Sequence, residues 1–119
     1  MSVRIAFVGD LHLGKSVRGY DRTRDVVDAW ERAVLEAEAA GCAYLVQTGD
    51  VFDDSHPPPE LSALAARMFA AAVPRFRGIH VLVGNHALRH GEERSDALAP
   101  LREVLPSGLR VPASPAAPP

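Results

Sequence analysis

The chain has 119 residues, of which 47% are hydrophobic and 24% are charged, a composition typical of a globular protein with one core. The formal net charge of −2 excludes a general electrostatic attraction to nucleic acid or to anionic membranes. A single cysteine, Cys42, excludes an internal disulfide and favours a reducing compartment. No apolar run approaches the about 20 residues of a membrane helix. We therefore expect a soluble, cytoplasmic protein without membrane contact.

Short apolar segments alternate with amphipathic segments along the first two thirds of the chain. Residues 3–8, 43–47 and 79–83 are short and largely apolar, and residues 3–8 are also rich in β-branched side chains, which predicts three buried strands. Between them, apolar residues recur at three- and four-residue spacing, which predicts helices over 21–40 and 59–73. The order strand–helix–strand–helix–strand predicts an α/β fold, with a parallel βαβαβ sheet flanked by helices.

Individual residues indicate which helix positions face the core and where the first helix ends, and the later sequence predicts further elements. Trp30 and Phe69 fall at helix positions that are predicted to face the core, and Gly41 stands where a helix end favours a left-handed residue. Residues 95–105 predict a weaker third helix and residues 109–111 a short strand. We expect one domain over 1–111 and a disordered Pro/Ala-rich tail over 112–119.

Polar residues follow each of the three predicted strands at its carboxyl end. The first strand is followed by Gly9-Asp10-Leu11-His12, the second by Gly49-Asp50 and the third by Gly84-Asn85-His86. In an open parallel sheet these ends meet at one edge, where ligands bind. Carboxylates and imidazoles suit Mn, Fe or Zn, and two ions about 3.5–4 Å apart can clamp a phosphate and activate water. One Gly-Asp pair is common and often structural, but three such motifs in chain order favour a two-metal phosphoesterase site.

These motifs resemble the signature blocks of a known family. GDLHLG, GDVFDDSHPPP and GNH look like the first three blocks of calcineurin-like metallophosphoesterases, and the similarity covers residues 3–105. The Leu-Gly pair after His12 and the Val-Phe pair after Asp50 favour the SbcD branch, whose members are bacterial DNA-repair exonuclease subunits. The resemblance implies an αββα sandwich, of which this chain resembles the first half.

The resemblance also implies a role for each polar residue. It implies that Asp10 and His12 bind the first metal, that Asp50 bridges both metals and that Asn85 binds the second. By the same resemblance, His86 is the acid that faces the leaving group. The implied cofactor is a divalent metal, expected to be Mn²⁺, at two sites of which the second is incomplete here. DNA is the implied substrate, an SbcC-like ATPase subunit is an implied partner, and the predicted function is metal-dependent phosphodiester hydrolysis on DNA.

Three features depart from the family pattern. Ala87 stands where an acidic residue usually follows Asn-His, so His86 is expected to be less well positioned. Asp53 stands where SbcD relatives often have a histidine, and we interpret Asp53 and Asp54 first as parts of a solvated loop. The family's later histidines, including a Gly-His-x-His block, fall beyond the region of similarity. Weak hydrolysis by this chain alone is therefore expected, together with pairing with a second copy or with a missing C-terminal half.

Functions other than DNA hydrolysis stay open. Residues 9–16 (GDLHLGKS) also fit the spacing of a P-loop, which would predict a nucleotide-binding protein. The context argues against a P-loop, because Asp10 would place a carboxylate beside the phosphates and Gly19 falls where the helix should already run. The sequence is also compatible with a non-catalytic remnant or interaction module of a metallophosphoesterase, and with a calcineurin-like phosphoesterase that is not a nuclease.

Overall fold

Four parallel strands organise the computed structural model, which describes residues 2–54 and 56–82 and the backbone of 109–110. In chain order the elements are strand β1 (Ile5–Val8), strand β2 (Ser16–Val17), strand β3 (Tyr20–Asp21), helix α1 (Thr23–Ala39), strand β4 (Tyr44–Gln47), helix α2 (Pro59–Ala72), a 3₁₀ turn (Val73–Arg75), strand β5 (Gly78–Val81) and strand β6 (Leu109–Arg110). The predicted α/β class is confirmed by this order.

The sheet has the strand order β1-β4-β5-β6, and every neighbouring pair is parallel. In its register Phe7 lies opposite Val46, and Val46 lies opposite His80. Strands β1, β4 and β5 follow one another across the sheet in chain order. Right-handed crossovers therefore place α1 and α2 on the same face. The predicted parallel βαβαβ arrangement is confirmed, and residues 109–110 add a fourth strand.

The core lies between the two helices and this covered face of the sheet. Leu45, Ile79 and Val81 belong to it and are fully buried. Above them, Trp30 of α1 and Phe69 of α2 meet edge to face, with ring centroids 5.1 Å apart and an interplanar angle of 82°. These two aromatic residues are 2% and 0% exposed, so their predicted core positions are confirmed.

The opposite face of the sheet is open to solvent in the part of the chain that the structure describes. Ile5 and Phe7 are 47% and 68% exposed, whereas the alternate residues Ala6 and Val8 pack against the core. The prediction that the whole first strand is buried is therefore wrong. Although the sequence of the strand is apolar throughout, both crossovers lie on one face of the sheet and cover only every second residue.

A hairpin that the sequence does not predict precedes α1. Strands β2 and β3 pair across Arg18 and Gly19, whose φ values of 52° and 81° are the paired positive angles of a type I′ turn. After the hairpin, the Thr23 backbone N–H donates to Oδ1 of Asp21 at 2.8 Å. This bond stabilises the charged carboxylate and so lowers the pKa of Asp21. The helix therefore begins at Thr23 instead of at residue 21.

The ends of the other elements agree with the predictions to within one or two residues where the structure describes them. Gly41 has a φ of 81° and donates its N–H to the carbonyl of Glu38, which confirms the predicted left-handed end of α1. The predicted third helix and the Pro/Ala-rich tail lie outside the described residues, so they and the domain bounds stay predictions. Within residues 2–54 and 56–82, neither helix has the length and apolar character needed to cross a bilayer.

Candidate metal centre

The loops that follow β1 and β4 run side by side and form a short backbone ladder. The N–H groups of Leu11 and His12 both donate to the carbonyl of Asp50, at 3.1 and 2.9 Å. Further along, Asp53 donates its N–H to the carbonyl of Leu13 at 2.9 Å. The ladder extends the parallel pairing of the two strands beyond their ends. It fixes which residues of one loop stand beside which residues of the other.

Buried side chains anchor both loops from below. Leu11 and Leu13 in the first loop, and Val51 and Phe52 in the second, are between 1% and 7% exposed. Burial alternates along the first loop, so Asp10 and His12, which flank the buried Leu11, are left on the more exposed side. The apolar residues of GDLHLG and GDVF, which served in the sequence only to recognise the family, are therefore the packing residues that set the direction of the polar ones.

A buried glutamine links the two glycine turns that precede the polar residues. Gln47, the last residue of β4, is fully buried. Its Nε2 donates to the carbonyls of Gly9 and Gly49, at 3.1 and 2.7 Å, and its Oε1 accepts from the Gly49 N–H at 2.8 Å. One side chain thus satisfies backbone groups of both turns. This role was not predicted, because a polar residue at the end of an apolar strand is its only signal in the sequence.

Two of the predicted metal ligands have a backbone conformation that residues other than glycine rarely adopt. The φ angles of His12 and Asp50 are 50° and 51°. A non-glycine residue in this region costs about 1–3 kcal/mol, although histidine and aspartate enter it more often than most. The ladder and the Gln47 hydrogen bonds offset this strain. Strain of this kind clusters at functional sites, which favours a role for both residues.

The side chains of Asp10, His12 and Asp50 converge at the carboxyl edge of the sheet. Each offers one ligand atom, and these atoms lie within 4.8 Å of one another. The Nε2 atom of His12 is 3.7 Å from Oδ2 of Asp10. Two carboxylates and one imidazole are a donor set that suits Mn, Fe or Zn, so the residues present fit a divalent metal ion. The structure thus brings three of the predicted ligands together, while their binding of a metal stays a prediction.

The remaining polar residues of the three motifs divide into two groups. Asn85 and His86 lie outside the described residues, so their positions and roles stay predictions. Asp53 is described, and its side chain is 42% exposed, as expected for a solvated loop, but its Oδ1 also lies 3.5 Å from Nδ1 of His12. Asp54 is exposed, in agreement with that interpretation. Asp53 was missed because this contact joins two loops that are distant in the sequence.

Residues 9–16 do not form a P-loop. After Gly14 the chain enters the β2–β3 hairpin, and the next helix begins only at Thr23. A P-loop leads directly into a helix, whose first N–H groups bind the phosphates. The hairpin therefore excludes the nucleotide-binding interpretation of GDLHLGKS.

Comparison with known proteins adds independent information about this site. The family model described as calcineurin-like phosphoesterase matches residues 3–108. The chain is 34% identical over 98 residues to the DNA double-strand break repair protein Mre11 of Haloferax volcanii, covering 78% of this chain and 21% of that protein. For the protein of the same name from Methanopyrus kandleri, the identity is 29% over 108 residues, covering 90% of this chain and 23% of that protein. For the SbcD subunit of the nuclease SbcCD of Bacillus subtilis, it is 30% over 104 residues, covering 83% and 25%. The chain therefore spans about a fifth to a quarter of the length of these curated relatives.

Proposed function

Because this chain belongs to the calcineurin-like phosphoesterase family, we propose that it takes part in metal-dependent hydrolysis of phosphodiester bonds in DNA. The observation that carries the proposal is the convergence of Asp10, His12 and Asp50, whose ligand atoms lie within 4.8 Å of one another. DNA as the substrate is supported by the similarity to proteins named for double-strand break repair and for nuclease activity.

The proposal gives each polar residue a role. Asp10, His12 and Asp50 would hold a divalent ion, Asp50 and Asn85 would hold a second ion, and His86 would act as the acid. When bound, such an ion, proposed to be Mn²⁺, supplies positive charge at a phosphate and lowers the pKa of a coordinated water. The fold of this chain holds the ligand atoms of Asp10, His12 and Asp50 close together in the absence of the ion.

Exposure of the donor group supports a polymeric substrate. The side chain of Asp10 is 57% exposed and that of His12 is 25% exposed, so a phosphate within a long chain can reach this edge of the sheet. The net charge of −2 gives no general attraction to DNA. The bound ion must therefore supply much of the local positive charge, and DNA binding should depend on the metal.

The proposal extends to a partner and a compartment. Similarity to a protein named as a subunit of the SbcCD nuclease supports an assembly with other subunits, and we propose an SbcC-like ATPase among them. The single cysteine, Cys42, which is free, supports a reducing compartment such as the cytoplasm.

A second candidate function is that of an interaction module without hydrolytic activity. The open face of the sheet favours it, because Ile5 and Phe7 expose adjoining apolar surface on one strand. Exposed apolar patches commonly mark surfaces that bind another protein.

Hydrolysis assays on the purified chain distinguish these functions. The substrates are a chromogenic phosphodiester and linear duplex DNA, each with Mn²⁺ and with EDTA. We expect slow, Mn²⁺-dependent hydrolysis of DNA that Asp50→Ala abolishes. The control Asp54→Ala removes an exposed carboxylate outside the donor group and should leave the rate unchanged.

Other results of these hydrolysis assays would favour a different function or contradict the proposed site. Hydrolysis of the small ester but not of DNA would favour a phosphoesterase that does not act on nucleic acid. Binding of Mn²⁺ without hydrolysis of either substrate would favour the interaction module. DNA hydrolysis that survives Asp50→Ala would contradict the proposed site.

A further inference from the structure

The two ring nitrogens of His12 lie beside two different carboxylates. Nε2, 3.7 Å from Oδ2 of Asp10, is on the side of the donor group. Nδ1 is buried and lies 3.5 Å from Oδ1 of Asp53. The imidazole therefore stands between the donor group and a further carboxylate that is outside it.

The position of Asp53 is fixed by the backbone. Its N–H donates to the carbonyl of Leu13 at 2.9 Å, and Leu13 forms a parallel bridge with Phe52, the residue before Asp53. Leu13 and Phe52 are 1% and 3% exposed, so this part of the ladder is anchored in the core. The Asp53 carboxylate is thus held beside His12 by packing as well as by its own contact.

We propose that Asp53 is a positioning residue for His12, an inference that rests on the proposed metal centre. The Asp53 carboxylate, 3.5 Å from the buried Nδ1 of His12, favours the tautomer whose proton is on Nδ1 and so leaves Nε2 without a proton. Nε2 then faces the side on which Asp10 and Asp50 stand, with its lone pair available for a metal ion.

The contact with Asp53 matters because it decides which nitrogen of the His12 imidazole can bind a metal ion. A neutral imidazole carries one proton, on either nitrogen, and only the other nitrogen can bind a metal. A carboxylate beside Nδ1 selects the tautomer and orients the ring. Without Asp53, the tautomer with its proton on Nε2 competes with metal binding. Asp53 itself remains outside the group formed by Asp10, His12 and Asp50, so its effect on the ion passes through the imidazole.

Three variants test this role. Asp53→Ala removes the acceptor, and Asp53→Asn keeps the shape of the side chain while removing its charge. Asp54→Ala is the matched control, because it removes an equal charge from the next residue, whose Oδ1 accepts from the backbone N–H of His56 at 3.2 Å. Circular dichroism checks that each variant is folded.

Two measurements apply to each variant. Long-range ¹H–¹⁵N spectra of the metal-free protein at pH 8 show which nitrogen of His12 carries the proton. Calorimetry gives the Mn²⁺ affinity. We expect an Nδ1–H tautomer in the wild type and in Asp54→Ala, with a shift of the proton towards Nε2 in Asp53→Ala. Mn²⁺ affinity should fall about 10- to 100-fold in Asp53→Ala, with a smaller loss in Asp53→Asn.

The outcomes separate this inference from the proposed function. If the wild type binds Mn²⁺ and Asp53→Ala binds it equally well with an unchanged tautomer, the role of Asp53 is wrong while the metal centre stands. An equal loss of Mn²⁺ affinity in Asp53→Ala and Asp54→Ala would show that the loss comes from removing a nearby negative charge and not from the contact with His12. That result would also overturn the inference. If the wild type binds no divalent ion, the metal centre is wrong and the inference falls with it.

Discussion

His12 donates its backbone N–H to the carbonyl of Asp50 at 2.9 Å, and both residues hold a positive φ. The bond joins the loops after β1 and β4 at the point where two of the three donor residues stand. Because each of these conformations is strained by itself, the pair persists only while the loops stay paired. The donor group therefore depends on backbone pairing as well as on the identity of its side chains.

Removal of two carboxylates should abolish metal binding. We expect the Asp10→Ala, Asp50→Ala double variant to lose more than about 100-fold in Mn²⁺ affinity, because loss of even an outer partner costs about 10- to 100-fold. Calorimetry measures the affinity. The control is Asp25→Ala, Asp28→Ala, which removes the same charge from the exposed side of α1. Equal Mn²⁺ affinity in the wild type and the first double variant would refute the metal centre.

Gln47→Leu tests the link between the glycine turns. The substitution leaves buried backbone groups of Gly49 without their side-chain partner, and each such group costs about 1–3 kcal/mol of unfolding free energy. Urea unfolding measures the loss, and we expect weaker Mn²⁺ binding as well. Thr48→Ala is the control, since its hydroxyl donates to the Val8 carbonyl from an exposed position. Equal stability of the two variants would contradict the role of Gln47.

Phe69→Ala should be strongly destabilising. Phe69 is fully buried against Trp30, and loss of a buried phenylalanine costs about 3–5 kcal/mol through lost transfer energy and the cavity left behind. The matched variant is Phe7→Ala, which removes the same ring from a side chain that is 68% exposed. Chemical denaturation should show a much smaller loss for Phe7→Ala. Similar losses would mean that the open face of the sheet is covered in solution.

Phe7→Thr should reduce self-association of the chain. Phe7 lies beside Ile5 on the open sheet face, and apolar patches in water favour association, while threonine keeps the preference for a strand. Sedimentation velocity at increasing protein concentration measures the effect. Tyr20→Thr serves as the comparison, because Tyr20 is 59% exposed but belongs to the hairpin. A wild-type chain that stays monomeric at high concentration would contradict this prediction.

Asp21 should contribute to stability in a pH-dependent way. Its carboxylate accepts the backbone N–H of Thr23, and this bond lowers the pKa of Asp21 in the folded chain. The stabilisation is present above the unfolded-state pKa of about 3.9 and is lost as the pH falls through the lower folded-state pKa. The difference in unfolding free energy between wild type and Asp21→Asn should therefore shrink in that acidic range. A difference that is constant with pH would show that the carboxylate charge is not involved.

Local patterns in the sequence were sufficient for most of the architecture. The spacing of apolar residues placed Trp30 and Phe69 in the core, and a glycine after an amphipathic segment placed the end of α1 at Gly41. These features depend on neighbours within about four residues, which is the range of a helical pattern. The carboxyl edge of a parallel sheet then brought Asp10 and Asp50 together in the prediction as in the structure.

Features that depend on distant parts of the chain were not predictable in the same way. The exposure of Phe7 follows from which face the crossovers cover, and an apolar strand looks the same in either case. The hairpin turn has Arg18 at a positive φ, where sequence rules expect asparagine, aspartate or glycine. Gln47 and Asp53 act through contacts between two loops, and their local sequence resembles an ordinary strand end and an ordinary polar loop.

The ladder that joins the two loops would also couple the proposed metal binding to folding. Its partners, such as Leu11 and Asp50, come from distant parts of the sequence, so the donor group does not exist until β1 and β4 have paired. An ion that binds only this arrangement stabilises the native state, by about 2.7 kcal/mol when its free concentration is 100 times its dissociation constant. The melting temperature of the chain should therefore rise with the concentration of divalent ions. In a cell, a higher concentration of the metal would therefore raise the fraction of chains that are folded and protected from proteolysis.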